Sequence, residues 1–233
     1  MKVRRTGNSG FAVDIDGDLL IFDCYNPESN PWLFDRAKNA KRVTMFVSHS
    51  HRDHYSPKIA RFSNVCSPCF VLSDDVSKLS GSKPVKSGDS LCVNGLDILV
   101  FGSTDIGVSF YVRHPAASLF HAGDLNNWHW MDESEPYEVE KAEKDFMTII
   151  KDIAEKAGRI GAAFFPADPR MGTDFYKGAV QFARLLRPDV LIPMHFRESF
   201  ELPESFFKET GEYTRILMPE KNTWTEITGG EKL

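Results

Sequence analysis

Three of the seven histidines in this chain fall within one run of six residues, His49-Ser50-His51-Arg52-Asp53-His54, with a carboxylate among them. Imidazole nitrogen and carboxylate oxygen together suit zinc, iron or manganese. His49 and His51 alternate, so an extended backbone points both to one side. Asp53 and His54 come after the turn and can reach a second ion beside the first. The competing reading is a polar loop that happens to be His-rich. So many imidazoles in one short stretch favour metal binding.

The elements needed to position such a cluster are present. Val43-Thr44-Met45-Phe46-Val47 is an apolar, β-prone run that reads as a buried strand ending at the cluster. Sites in α/β folds gather at the C-terminal ends of strands. Two further apolar runs end in ligand types: Leu119-Phe120-His121-Ala122-Gly123-Asp124 and Val190-Leu191-Ile192-Pro193-Met194-His195.

These segments together resemble the metallo-β-lactamase superfamily of metal-dependent hydrolases. The resemblance rests on the His-x-His-x-Asp-His signature at 49–54, Gly123-Asp124 and the strand-ending His195. Asn8-Ser9-Gly10-Phe11 followed by Leu19-Leu20-Ile21-Phe22-Asp23 is similar to that family's first hairpin. The likeness spans nearly the whole chain and is nearest to the stand-alone L-ascorbate-6-phosphate lactonase-like branch. It implies an α/β fold of four layers, an αβ/βα sandwich. It also implies that His49 and His51 hold one ion, that Asp53, His54 and His195 hold the other, and that Asp124 bridges them. Asp53 and Asp124 are then the catalytic carboxylates, with Asp53 orienting a water. A metal-held water has its pKa lowered from about 15.7 toward about 7, so hydroxide attack on a carbonyl carbon or phosphorus needs no Ser or Cys nucleophile. Zinc is the first expectation among the ions, with manganese or iron as alternatives, and one or two ions are expected.

One position departs from the family pattern. A His is expected in a turn before Gly-Asp, and Ser103 stands there in Gly102-Ser103-Thr104-Asp105. Asp105 is the best substitute ligand, because carboxylate binds the same ions. His129, in Trp128-His129-Trp130, is the next candidate. Asp105 capping its own turn, with the first site empty or half-filled, stays open beside these.

Composition bounds the class. At 233 residues and 42% hydrophobic content, with 18 Phe, one domain (1–233) with an aromatic core is expected. A net charge of −5 gives no basic footprint for nucleic acid. No run approaches the roughly 18 apolar residues of a membrane span. The charged start Met1-Lys2-Val3-Arg4-Arg5 has no apolar stretch behind it, so a cytoplasmic location is expected. Cys66-Ser67-Pro68-Cys69 has CxxC spacing without a second pair. All four cysteines read as reduced thiols, Cys24 and Cys92 within strands.

Strands are expected near 2–6, 10–15, 18–23, 69–72, 91–93, 96–101, 108–113, 118–122, 162–165, 190–194, 213–217 and 223–228. Asp16-Gly17 and His114-Pro115 read as turns. Helices are expected after Pro31, after Ser56-Pro57, from Val139 to Ala157 with Gly158 as cap, after a Thr173 cap, and near 203–210.

Three loop features bear on function. Arg170, in Pro166-Ala167-Asp168-Pro169-Arg170, could grip a substrate phosphate or carboxylate with both arms of its guanidinium, or merely shape the loop with Asp168. His129 and its flanking Trp residues lie just past Asp124 and could line a pocket or pack as a loop. His121 reads as a hydrogen-bonded support. The leading expectation is a metal-dependent hydrolase of a small, anionic ester, lactone or phosphoester. A non-catalytic metal-binding or sensing protein is the alternative that Ser103 suggests. A nuclease is disfavoured by the acidic charge. A flavodiiron-type redox enzyme is disfavoured by His51, where that group has Glu.

Overall fold

Asp16 and Gly17 both adopt left-handed backbone, φ 52° and 95°, and close the first hairpin as the sequence predicts. The computed structural model describes residues 1–196, 200–220 and 222–228. Two sheets of seven strands are stacked face to face. The first contains β1 (Lys2–Arg5), β2 (Phe11–Ile15), β3 (Asp18–Phe22), β4 (Arg42–Val47), β5 (Cys69–Ser73) and β6 (Lys83–Val85), with β14 (Thr225–Glu226) outside β1. The second runs, in spatial order, β13 (Arg215–Ile216), β12 (Val190–Met194), β11 (Ala162–Pro166), β10 (Ala117–His121), β9 (Val108–His114), β8 (Leu96–Gly102), β7 (Ser90–Val93). The helices are α1 (Pro31–Lys38), α2 (Pro136–Lys156), α3 (Lys177–Leu186) and α4 (Glu204–Gly211).

The central strands of the first sheet alternate between two cores. In β3, Leu20 and Phe22 join the core shared with the second sheet, while Leu19 and Ile21 join a smaller cluster with Leu33 and Ala37 of α1. Burial on both faces explains why β3 and β4 read as continuous apolar runs. Between the sheets the core is aromatic. Phe22 stacks on Phe46 at 4.6 Å, and Phe11 and Phe22 meet Phe164 of β11 at 4.6 and 6.1 Å. The four-layer αβ/βα sandwich expected from the sequence is the fold observed.

What positions the site is the parallel part of each sheet. β3 and β4 pair in parallel, as do β10, β11 and β12. Their C-terminal ends carry Asp23, Ser48-His49, Asp124, Asp168 and His195 to one edge of the sandwich. Glycines let the two sheets touch there. A Cβ on Gly107 (φ 79°) would lie 2.1 Å from the Ser48 carbonyl oxygen, and one on Gly123 (φ 55°) 2.7 Å from Ser48 Cβ.

Several local expectations are corrected. Helix α2 starts at Pro136, earlier than Val139, because proline suits the first turn and Glu138 Oε2 accepts from the Glu135 N–H. Its cap is Ala157 in extended backbone, not Gly158. Helix α3 begins at Lys177, and Thr173 instead donates its N–H to Asp132. The segment after Ser56 is a 3-10 helix, Pro57–Asn64. Cys24 lies just past β3 rather than in it; the four cysteines are free. The three-residue β6 carries no alternation to read and was not expected. Among the described residues no helix is long and apolar enough to cross a membrane.

Candidate metal centre

The site grows from one buried carboxylate. Asp124 sits in the turn after β10 and presents its two oxygens to different partners. Oδ1 lies 3.1 Å from His54 Nε2 and 3.3 Å from His195 Nε2, and Oδ2 lies 3.4 Å from His49 Nε2. Asp53 Oδ2 completes the first set, 3.7 Å from His54 Nε2 and 3.6 Å from His195 Nε2. On the other side His51 Nδ1 lies 3.0 Å from His49 Nε2 and 3.8 Å from Asp105 Oδ2. Two groups able to hold an ion result: Asp53, His54 and His195, and His49, His51, Asp105 and Asp124.

A second layer of hydrogen bonds aims the imidazoles. His54 Nδ1 donates to Asp23 Oδ2 at 2.7 Å. Asp23 also accepts from the Ser48 N–H and hydroxyl, at 2.8 and 2.6 Å. Ser48 Oγ, its proton spent on Asp23, accepts from His49 Nδ1 at 2.9 Å. His195 Nδ1 donates to Asp168 Oδ2 at 3.1 Å. With Nδ1 donating in all three rings, Nε2 is the atom each ring turns toward Asp124, and on losing its proton it would offer its lone pair to an ion.

Charge follows the same pattern. Burial opposes the imidazolium of His54, yet the carboxylates of Asp23 and Asp124 outweigh it and push its pKa up to about 10. His195 is buried too, and Asp124 and Asp168 push it up to about 9. Burial would raise Asp124, but His195, His49 and His54 hold it well below the carboxylate range. Asp168 resists its own burial in the same way, held at about 2 by His195 and Arg170.

The residues fit a metal ion. His54 Nε2, His195 Nε2 and Asp124 Oδ1 are buried without a hydrogen bond of good geometry, although the Asp124 oxygen lies 3.1 and 3.3 Å from the two nitrogens. Leaving a buried polar group unsatisfied costs about 1–3 kcal/mol, so three at one point call for a ligand. Their chemistry, two imidazoles and a carboxylate, is that of zinc, iron or manganese sites.

Around the centre lies a cavity of about 400 Å³, lined by His51, Asp53, Asp105, Asp124 and His195 together with Trp128, Trp130 and Arg170. A cavity of about 540 Å³ adjoins it through Asp53, Arg170 and His195 and is walled by Tyr25, Phe196 and Phe200. The larger cavity of about 620 Å³ near Arg159 and Asp189 contains none of these residues and plays no part in this chemistry.

Six expected ligands, His49, His51, Asp53, His54, Asp124 and His195, converge, and Asp105 joins them. Ser103, not Asp105, caps the turn: its Oγ accepts from the Asp105 N–H at 3.2 Å, leaving the Asp105 carboxylate to face His51. One expectation is corrected. His129 does not line the cavity; its Nε2 donates to the Asp174 carbonyl and its Nδ1 accepts from Met131 N–H. Arg170 borders the cavity with its Nε and Nη2 bound to Asp168, which leaves the Nη1 end of its guanidinium facing a substrate. His121 is a support as expected, donating to the Ser9 carbonyl and accepting from Gly123 N–H. Sequence reasoning missed Asp23 and Ser48 as braces. The signal was there: Phe22-Asp23 is also an apolar strand ending in a carboxylate.

Comparison with known proteins bears on the fold and the class of chemistry. No protein-family model matches the chain. It is similar to a UPF0173 metal-dependent hydrolase of Ignicoccus hospitalis, 26% identical over 84% of this chain and 82% of the relative. Among solved structures it resembles Igni18, a metallo hydrolase from Ignicoccus hospitalis (TM-score 0.66, 20% identity, 97% and 99% of the two chains). It also resembles the metallo-β-lactamase fold protein YhfI from Bacillus subtilis (TM-score 0.65, 11% identity, 96% and 98%). The fold is the metallo-β-lactamase fold, and the expectation of a metal-dependent hydrolase of that superfamily is supported.

Proposed function

We propose that the chain is a metal-dependent hydrolase that cleaves a small ester, lactone or phosphoester, with the lactonase-like branch included in that range. One observation carries the reading: the buried His54 Nε2, His195 Nε2 and Asp124 Oδ1, without a hydrogen bond of good geometry, meet at one point at the edge of an open cavity. His49, His51 and Asp105 would hold one ion and Asp53, His54 and His195 the other, with Asp124 placed between the two sets. When bound, a divalent ion supplies Lewis acidity and makes a hydroxide nucleophile available near neutral pH. Zinc is the leading ion, with manganese or iron(II) favoured to the extent that Asp105 replaces an imidazole.

The chain's own groups do the rest. Asp23 and Asp168 fix the tautomers and orientations of His54 and His195. Asp124 stays anionic and balances cationic charge between the two sets. Asp53 is half-exposed and is steadied by Asn8 Nδ2 at 3.2 Å, so it can take the nucleophile's proton while facing the substrate. Arg170, locked to Asp168, adds positive potential at the cavity mouth for an anionic substrate. The test is elemental analysis of protein purified without chelator, followed by a screen of esters, lactones and phosphodiesters. The expected result is one or two bound transition-metal ions and turnover that is lost on chelation. Bound metal with no turnover of any class would favour the sensing alternative.

A further inference from the structure

Trp130 has a backbone φ of 41°, in the left-handed region. Five Asp and Asn residues share that region and tolerate it; Arg187, which caps α3, and the ligand His195 also adopt it, and Trp130 is the bulky aromatic among them. Such strain persists where the surroundings enforce it and collects at functional sites. Here the surroundings do enforce it. The Trp130 carbonyl accepts from both Glu133 N–H and Ser134 N–H at 2.9 Å. On one side of it His129 is clamped between Asp174 and Met131. On the other, Asp132 holds the Thr173 N–H. Trp128 is pinned as firmly, its Nε1 donating to the Asp124 carbonyl at 2.8 Å and its ring 5.7 Å from His195, edge-on. The two indoles lie 6.3 Å apart and within 17° of parallel, and both border the cavity that holds the candidate ligands.

We propose that Trp130, backed by Trp128, is a recognition wall for a flat aromatic or conjugated group next to the scissile bond of the substrate. The inference rests on the hydrolase reading above. Trp130 packs partly against the core, but its backbone does not call for an indole: Gly, Asn or Asp would adopt φ 41° with less strain. A rigid, parallel aromatic pair beside a metal centre offers what a planar ring needs, a broad π-face at fixed height. A cavity of about 400 Å³ is at the size of small-molecule sites and admits one or two fused rings. His129 then acts as a positioning residue that holds the strained loop, not as a substrate contact.

The experiment uses the full chain as purified and two probes of equal charge and similar size, 2-naphthoate and decalin-2-carboxylate. Dissociation constants are measured by calorimetry and by tryptophan fluorescence, so no turnover is needed. The expected result is at least tenfold tighter binding of the flat naphthoate. Trp130→Leu should erase that preference and Trp130→Phe should keep most of it, with metal content equal in all three proteins. Equal affinity for the two probes, or an unchanged preference in Trp130→Leu, would overturn the proposal. A protein that prefers naphthoate but hydrolyses nothing would sink the hydrolase reading alone. Turnover without any flat-ring preference would sink this inference alone.

Discussion

The two halves of the metal centre are built differently. His54 and His195 are buried, and each has its own carboxylate behind it, Asp23 and Asp168. His51 and Asp105 have side chains 49% and 40% exposed, and they pair with each other and, through His51, with His49. The deep half is organised by the fold before any ion arrives. The outer half shares one braced ligand, His49, held through Ser48 at the end of β4, but draws His51 and Asp105 from a loop tip and the β8–β9 turn, where few contacts define geometry. The difference teaches where affinity resides: every histidine of the deep half has a carboxylate behind it, and the altered turn at Ser103 belongs to the half with the exposed ligands.

The harshest way to break the comparison is to remove what both halves share. Asp124→Ala takes an oxygen from each, so both ions should be lost and hydrolysis should fall by more than the roughly 10–100-fold typical of losing a supporting partner. Elemental analysis and rate measurement check it together. Asp23→Asn should come next. It unbraces His54 directly and His49 through Ser48, so deep-ion affinity should drop about 10–100-fold and the outer ion should weaken as well. It also removes one of the two carboxylates that face the buried His54 imidazolium, at up to about 3–5 kcal/mol, which a melting curve would show as a drop of at most roughly 10 °C. Asp168→Asn should weaken the deep ion alone.

Titration sharpens the contrast. His54 and His195, at about 10 and about 9, both carry a proton at neutral pH before an ion binds. Filling the deep half should therefore release about two protons, read by calorimetry in buffers of different ionisation enthalpy. The sign for metal-free stability follows from the raised values. Their contribution is complete below the unfolded pKa of about 6.5 and is lost as pH rises through about 9 and then about 10. The chelated protein should melt progressively lower across that window. Asp168, depressed to about 2, contributes above about 3.8 and loses that contribution only as pH falls through about 2. The smallest effect is expected from Asn8→Ala. It removes one hydrogen bond to Asp53, worth about 0.5–1.5 kcal/mol, so turnover should fall no more than about tenfold with metal content unchanged.

Much of this was legible in the residues. The ligands could be read because each stands where an apolar strand stops, and the strands because burial on both faces makes them continuous. Asp23 obeys the same rule as Asp124 but has no motif beside it, so its role emerges only when β3 and β4 are seen side by side. His129 misled because its tryptophan neighbours suggest a pocket; its ring is spent on backbone groups that lie near only in three dimensions. Arg170 was visible as a cation, and its partner Asp168, two residues back, takes one edge of its guanidinium and fixes its position at the cavity.

The most direct measurement is stepwise metal removal, with graded chelator and ion content read after each step, on the parent, His54→Ala and Asp105→Asn. In the parent the expected result is two losses at well-separated chelator strengths, the outer ion leaving first. Asp105→Asn should lose the outer ion at weaker chelator and keep the deep one at parental strength, while His54→Ala should lose the deep one. Two ions leaving together in the parent, or a deep ion as weak in Asp105→Asn as in His54→Ala, would contradict the unequal halves.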